Sequence, residues 1–290
     1  MAVSPVQDEA VVLKIYDYGE ADGIAVLLSR AHGKVRALAR GFRKPKFRSV
    51  SPFTPFSTLE VKLRPAAPER LWSILEVTVL DGGGAGTMDL EAFALRSYAA
   101  EILLHTEMDT ASGERFFRLF RAVSAVCDAR PPLLLPLLYF QVWALKLEGI
   151  LPDPSACGSC GAVFSPDYPP AGYLPSAASF VCPACREAPR PAGAGCSPVS
   201  GSVRGEGRRP ATGPAASPED AREWFALLAE ILVSHPANLR GTFPCAALGK
   251  AAAEGFNEVL SEFLGRKARS FPYLLGFLGD PCLPGDFRSS

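Results

Sequence analysis

Four cysteines stand in two pairs of equal spacing, Cys157-x-x-Cys160 and Cys182-x-x-Cys185, with 21 residues between the pairs. Two such knuckles can offer four thiolates tetrahedrally, which is the shell zinc takes in structural sites. The run between them is rich in Gly and Pro. Gly158 and Gly161 let the first knuckle close tightly around a metal, and Gly172-Tyr173 and Phe180-Val181 can pair as the arms of a ribbon. A redox CxxC needs a thioredoxin-like βαβ setting, absent here. A catalytic zinc keeps an open position, usually beside His or carboxylate ligands, whereas four thiolates close the shell. The expectation is one structural zinc on Cys157, Cys160, Cys182 and Cys185, stabilising a module with almost no core of its own. Cys127, Cys196, Cys245 and Cys282 do not share the spacing; Cys127 fits a helix core, and Cys196 falls in a Gly/Pro-rich stretch.

A second chemistry is electrostatic. Arg30, Lys34, Arg36, Arg40, Arg43, Lys44, Lys46 and Arg48 follow one another with no acidic residue between them. The whole chain is neutral, with 30 basic and 30 acidic residues, but residues 1–80 hold 12 basic against 8 acidic. A strand over Val35–Ala39 points Arg36, Leu38 and Arg40 to one face, and Phe42 and Phe47 interleave with the charges beyond it. Cations beside aromatic rings suit a single-stranded nucleic acid, because the cations follow phosphates while rings stack on bases. A solvated hairpin carrying ordinary surface charges is the plainer reading of the same run.

What the chain lacks argues against several chemistries. There is no GxxxxGK[ST] phosphate loop, and Gly249-Lys250 is followed by Ala251. Residues 82–86 are not a dinucleotide-binding GxGxxG, and neither HExxH nor GxSxG occurs. His32, His105 and His235, the three histidines, are scattered. Hydrolase and nucleotide-driven motor chemistry are therefore not expected. The N-terminal residues show no secretory pattern, and the apolar run Leu133–Leu147 is shorter than the roughly 20 residues a bilayer requires. A cytoplasmic location follows as the expectation, and reduced cysteines there favour metal over disulfides.

These groups need elements to hold them. Leu59, Val61 and Leu63 alternate with Glu60, Lys62 and Arg64, a period of two that puts one face in a core and one in water. Ile24, Val26 and Leu28 repeat it, His32-Gly33-Lys34 marks a hairpin turn, Val11, Leu13 and Ile15 supply a first strand and Leu71–Val79 a last. Five short strands suit a small closed barrel such as an OB-fold. After the glycines at 82–86 the period becomes helical. Leu95, Tyr98, Ala99 and Ile102 recur on one face, as do Phe116, Leu119, Phe120, Val123 and Cys127. Pro131-Pro132 opens an apolar helix ending near Gly149. Ser217 with Pro218 caps a helix striped by Trp224, Leu227, Leu228 and Ile231. A final helix from Ala246 to Leu264 turns Phe256, Val259, Leu260 and Phe263 inward and ends at Gly265. The expected architecture is α+β and multidomain: an N-terminal OB-fold β-barrel, then an all-α domain carrying a four-cysteine zinc ribbon or knuckle. Its parts are an OB-fold nucleic-acid-binding domain at 1–81, a helical first part at 87–151, a zinc module at 152–186, a flexible linker or insertion at 187–217 and a helical second part at 218–290.

Three segments together carry a resemblance. They are Tyr16-Asp17-Tyr18-Gly19-Glu20-Ala21-Asp22, Gly33-Lys34-Val35 and Gly41-Phe42-Arg43-Lys44-Pro45-Lys46. Phe53-Thr54-Pro55-Phe56 and Phe263-Leu264-Gly265-Arg266-Lys267-Ala268-Arg269-Ser270 add to it, as does the order of barrel, helices, CxxC pairs and closing helices. The chain resembles the RecO family of bacterial repair and recombination mediators over most of its length. The resemblance implies a non-enzymatic protein that binds single- and double-stranded DNA and anneals complementary strands without ATP. It also implies contact with the acidic C-terminal tail of the single-stranded-DNA-binding protein and, with RecR, help in loading RecA. No membrane is involved, and the place is the cytoplasm, at the nucleoid. By matching position, Arg36, Arg40, Arg43, Lys44 and Lys46 would contact phosphates, within the run Arg30–Arg48. For the acidic tail the candidate is the outer face of the 112–128 helix, with Arg115, Arg118 and Arg121, against a merely solvated arginine face. Two rivals stand beside this reading: a zinc-dependent hydrolase or nuclease, and a zinc-ribbon/OB-fold interaction adaptor without DNA-pairing activity.

Overall fold

The computed structural model describes residues 4–41, 53–67, 70–83, 89–128, 132–187, 217–239 and 246–278. They fall into two compact units, residues 1–133 with 268–274 and residues 134–267 with 275–290. The division lies inside the 87–151 stretch read from the sequence as one helical part.

In the first unit, strands β1 (Val6–Tyr18), β2 (Asp22–Ser29), β3 (Gly33–Ala39), β4 (Thr58–Arg64) and β5 (Trp72–Asp81) close a barrel in the order β1-β2-β3-β5-β4. All pairings are antiparallel except β3 with β5, which run parallel through Ala37↔Trp72 and Leu38↔Ser73. This five-stranded barrel is the expected OB-fold. β1 is long enough to pair with both β2 and β4, and it bends at a bulge between Val12 and Lys14.

The barrel corrects one detail of the strand reading. Its interior is filled by Ala10, Val12, Ala25, Leu27, Val35, Ala37, Ala39, Phe53, Leu59, Val61 and Leu63. Val11, Val26 and Leu28 are equally buried but point the other way. β2 is apolar on both faces, so its alternation cannot tell which face goes inward. The small Ala10, Ala25, Ala37 and Ala39 leave room in the narrow interior for Leu27, Phe53, Leu59 and Leu63. The bulge then resets the phase, and Ile15 packs against the interior again.

The covering helices are α1 (Leu90–His105) and α2 (Thr110–Asp128), which pack on β1 and on β2–β3 respectively. Asp89 caps α1 by accepting from the Glu91 amide at 3.1 Å. α2 turns Phe116, Phe117, Leu119, Phe120, Val123 and Cys127 inward, the stripe read from the sequence with Phe117 added. The buried Arg96 ties the two helices, donating to Asp128 Oδ1 at 2.5 Å and to the Ser124 carbonyl at 2.9 Å. Burial pushes the neighbouring Cys127 thiol up to about 11, so it is an inert core group. Where α2 begins it rests on the β2–β3 turn. A Cβ at Gly113 would lie 2.3 Å from the Gly33 Cα, so only glycine permits the approach. Gly113→Ala is expected to cost about 1–3 kcal/mol, read from urea unfolding of the variant against the parent. An unchanged midpoint would mean that α2 can lift off the turn freely.

In the second unit, α3 (Leu134–Leu147) is buried along most of its length and packs against α5 (Pro218–Val233) and α6 (Ala246–Phe263). Gln141 donates to the Ala253 carbonyl at 2.9 Å and Trp143 to the Ile231 carbonyl at 3.0 Å. Ser217 caps α5 in a reciprocal box with Asp220. Two expectations for α6 change. Phe263, placed inward by spacing, lies in the last turn and is 47% exposed. Val259 is only half-buried. Gly265 follows α6 at φ +66°, as a left-handed helix terminator does. Ribbon strands β6 (Gly172–Leu174) and β7 (Ser179–Val181) and the short α4 (Pro183–Glu187) complete this unit. A further short helix, α7 (Phe271–Phe277), was not expected from the sequence. Its start lies in the first unit with residues 268–274, where the Glu101 carboxylate accepts from the amides of Arg269 and Ser270 at 2.9 and 2.8 Å. Among the described residues no helix is long and apolar enough to cross a membrane.

Candidate nucleic-acid interface and metal centre

The four paired cysteines converge. All four sulfur atoms lie within 4.8 Å of one another, and Cys160 Sγ and Cys182 Sγ are 3.7 Å apart. A disulfide would need about 2.05 Å. A tetrahedral ion with metal–sulfur bonds of about 2.3 Å has sulfur–sulfur edges of about 3.8 Å, so the set fits a metal. Cys157 and Cys160 sit on a knuckle closed by the Gly161 amide donating to the Cys157 carbonyl at 2.8 Å, with Gly161 at φ +76°. Gly158 donates to the Phe180 carbonyl at 2.9 Å, and a Cβ there would strike Ser179 Oγ at 2.4 Å. β6 and β7 pair as Gly172↔Val181 and Tyr173↔Phe180, the ribbon expected. Cys182 directly follows β7 and Cys185 lies on α4.

The amide of Cys182 points at Cys157 Sγ at 3.4 Å and that of Cys185 at Cys182 Sγ at 3.5 Å, donors suited to thiolate. Burial raises the Cys182 thiol, but hydrogen bonds from the Tyr168 hydroxyl, the Cys185 amide and the neighbouring thiols outweigh it and hold it at about 6. Burial and contact with the other three thiols push Cys185 up. A cation bound here would draw the protons from the thiols, since cysteine ligates metal as thiolate. The candidate group contains no His or carboxylate, so its shell is closed.

The module stands on the helices of its own unit. Tyr173 meets Trp224 with ring centroids 5.9 Å apart, Phe180 meets Phe225 at 5.4 Å and Phe164 meets Phe225 at 5.9 Å. Trp224 in turn packs on Phe256 of α6 at 6.1 Å. Gly255 lets α6 approach the ribbon's connecting turn, since a Cβ there would lie 2.0 Å from the Pro175 carbonyl oxygen.

The basic run divides when it is folded. Lys34 turns its ammonium to the C-terminal end of α1, donating to the carbonyls of Leu104 at 2.7 Å, Thr106 at 2.6 Å and Leu103 at 3.4 Å. It satisfies carbonyls that the helix leaves open and sits at the negative end of the helix dipole. Arg30 lies 3.7 Å from both Glu9 and Glu114. Arg36 and Arg40 are exposed on the outer side of β3 and just past its end, as the strand reading expected. Arg43, Lys44, Lys46 and Arg48, with Phe42 and Phe47, lie outside the described residues.

Strand register shows what shares a face with Arg36. Lys14 pairs with Val26 and Tyr16 with Ile24 across β1–β2, while Val26 pairs with Arg36 and Ile24 with Leu38 across β2–β3. Opposed residues project to the same side of a sheet. The outer face therefore has two halves. One, around Val11 and Leu28, lies under α1 and α2; the other carries Lys14, Tyr16, Tyr18, Arg36, Leu38 and Arg40. Lys14 and the two tyrosines were missed in the sequence because they precede the basic run, although their two-residue spacing was visible.

On α2, Arg115 and Arg118 are exposed, and Arg118 pairs with Glu114 at 2.7 Å. Arg121 turns to the barrel, bonding Thr58 Oγ1 and lying 3.8 Å from Asp81. The three arginines do not form one open stripe.

Comparison with known proteins agrees with this layout. The family model described as "Recombination protein O N terminal" matches residues 1–82, and "Recombination protein O C terminal" matches residues 88–235. Among curated relatives, the "DNA repair protein RecO" of Anaeromyxobacter dehalogenans is 36% identical over 152 residues, 52% of this chain and 60% of that protein. That of Geobacter sulfurreducens is 33% identical over 181 residues, 62% of this chain and 73% of that protein. That of Myxococcus xanthus is 32% identical over 154 residues, 53% of this chain and 63% of that protein. The chain thus spans about three-fifths of the length of the first of these relatives. With an OB-fold barrel, a helical body, a four-cysteine centre and family models that match residues 1–82 and 88–235, this chain belongs to the RecO family.

Proposed function

We propose that this protein is a non-enzymatic mediator of DNA repair and recombination. It binds single- and double-stranded DNA and anneals complementary strands without ATP. With RecR it helps to load RecA onto DNA coated by the single-stranded-DNA-binding protein, in the cytoplasm at the nucleoid. The observation that carries this reading is the open half of the barrel's outer face, where Arg36 and Arg40 stand exposed beside Lys14. Cations there neutralise phosphates on two strands, reduce their repulsion and raise their local concentration, so pairing accelerates with no covalent step. Arg43, Lys44, Lys46 and Arg48 extend the same charge along the chain. The metal is zinc, one ion, held by Cys157, Cys160, Cys182 and Cys185 as a structural clamp. The domain bounds proposed are those read from the sequence, 1–81, 87–151, 152–186 and 218–290, with 87–151 shared between the two compact units and the 187–217 segment lying almost wholly outside the described residues. The acidic tail of the single-strand-binding protein is assigned to α2 through Arg115 and Arg118, with Arg121 at its inner flank.

The test is strand annealing of two complementary oligonucleotides with purified protein, without ATP or added metal. Acceleration that fades as salt rises is the expected result. Folded, metal-loaded protein that binds single strands at low salt yet fails to accelerate pairing would overturn the annealing function. Protein that captures RecR but no DNA would favour an adaptor.

A further inference from the structure

We infer that Tyr16 and Tyr18 form a base-stacking platform that makes this face select unpaired strands over duplex. The inference rests on the DNA-binding reading above and adds the discrimination between its substrates. Tyr16 is 44% and Tyr18 52% exposed, on a strand whose other apolar residues are largely buried. Tyrosine rings are enriched at binding surfaces, and the neighbours of these two point to a class of partner. By register Tyr16 lies in a row with Ile24 and Leu38, and the next row holds Lys14, Val26 and Arg36. The Lys14 ammonium sits 4.9 Å from the Tyr16 ring centroid, on the same patch. Tyr18 pairs with Asp22, and Asp22 accepts from the Gly41 amide at 2.7 Å, so its carboxylate is tied to the backbone. Rings flanked by cations on an OB-fold sheet match what a single strand offers: bases to stack and phosphates to neutralise.

The spacing favours a particular state of the strand. Two residues apart on β1, the rings are about 7 Å apart along the strand. Consecutive bases in a B-form strand rise only about 3.4 Å. The pair therefore fits bases drawn apart, which a single strand permits and a paired duplex resists. Arg36 and Arg40 meet phosphates of either substrate, while the tyrosines engage only the unpaired one.

The experiment compares binding of full-length protein to an oligothymidylate, to an abasic strand of equal length and to a duplex. Wild type is expected to prefer the thymidylate over the abasic strand. Tyr16→Ala with Tyr18→Ala should weaken thymidylate binding by about 5- to 150-fold per ring, while abasic and duplex affinities hold. Tyr16→Phe with Tyr18→Phe should restore the preference, because the rings stack without their hydroxyls. The inference falls if the double alanine variant binds thymidylate like wild type, if it loses all three ligands together, or if phenylalanine fails to restore. A wild-type protein that binds none of the three at low salt would overturn the DNA-binding reading itself.

Discussion

Stripping the metal, or replacing Cys157 with Ser, is expected to destabilise the unit of residues 134–267 by at least about 3 kcal/mol while leaving the barrel folded. Structural zinc supplies apparent binding energies of order 10 kcal/mol to modules that do not fold without it. Here the ribbon has two strands of three residues each, and a two-stranded hairpin is marginal by itself. The module's hold on the helices runs through Tyr173, Phe180 and Phe164 onto Trp224 and Phe225. Loosening the knuckles therefore withdraws the rings that bury Trp224. The measurement is thermal unfolding by tryptophan fluorescence with and without a strong chelator. Trp143 and Trp224 report the second unit, and Trp72 reports the barrel. Because each ligand binds as a thiolate, acid competes with the metal, and the same loss should appear as pH falls. Chelated protein that melts like the holo form would show that the four sulfurs need no ion.

Exchanging Arg36 and Arg40 for Glu is expected to lower single-strand affinity by roughly 10- to 100-fold at low salt, since each reversal replaces an attraction with a repulsion of order 1 kcal/mol. The slope of log affinity against log salt should also fall by about 2, one for each phosphate no longer neutralised. Stability should hold, because both side chains are exposed. Lys34→Met should do the reverse. Its ammonium holds three carbonyls at the end of α1, so the variant should lose about 1.5–3 kcal/mol of stability and keep its salt slope. Measured side by side, the three positions separate charge that meets DNA from charge that holds the fold. A reduced slope in Lys34→Met with unchanged stability would place Lys34 back among the residues that meet phosphates.

The features legible in the sequence are those set by neighbours along the chain. The CxxC pairs announce their site because a knuckle closes within four or five residues, and the ribbon arms Gly172-Tyr173 and Phe180-Val181 follow from the same short loop. The β2–β3 hairpin, the Ser217 cap and the stop at Gly265 are equally local. What the sequence could not show is what lies across each face. Periodicity groups Val11 with Leu13 and Val26 with Leu28, but only the fold decides that Val11 and Leu28 lie under α1 and α2, that Val26 sits between Lys14 and Arg36 on the open half, and that Ala10, Val12, Ala25 and Leu27 fill the barrel. Eight cations in a row look alike until the fold assigns Lys34 to a helix end, Arg30 to two glutamates, and Arg36 with Arg40 to an open face shared with Lys14, Tyr16 and Tyr18. Charge and spacing are properties of the chain. Whether a charge meets solvent, a carboxylate or a helix terminus is settled by partners distant in sequence, and only the tertiary structure brings those together.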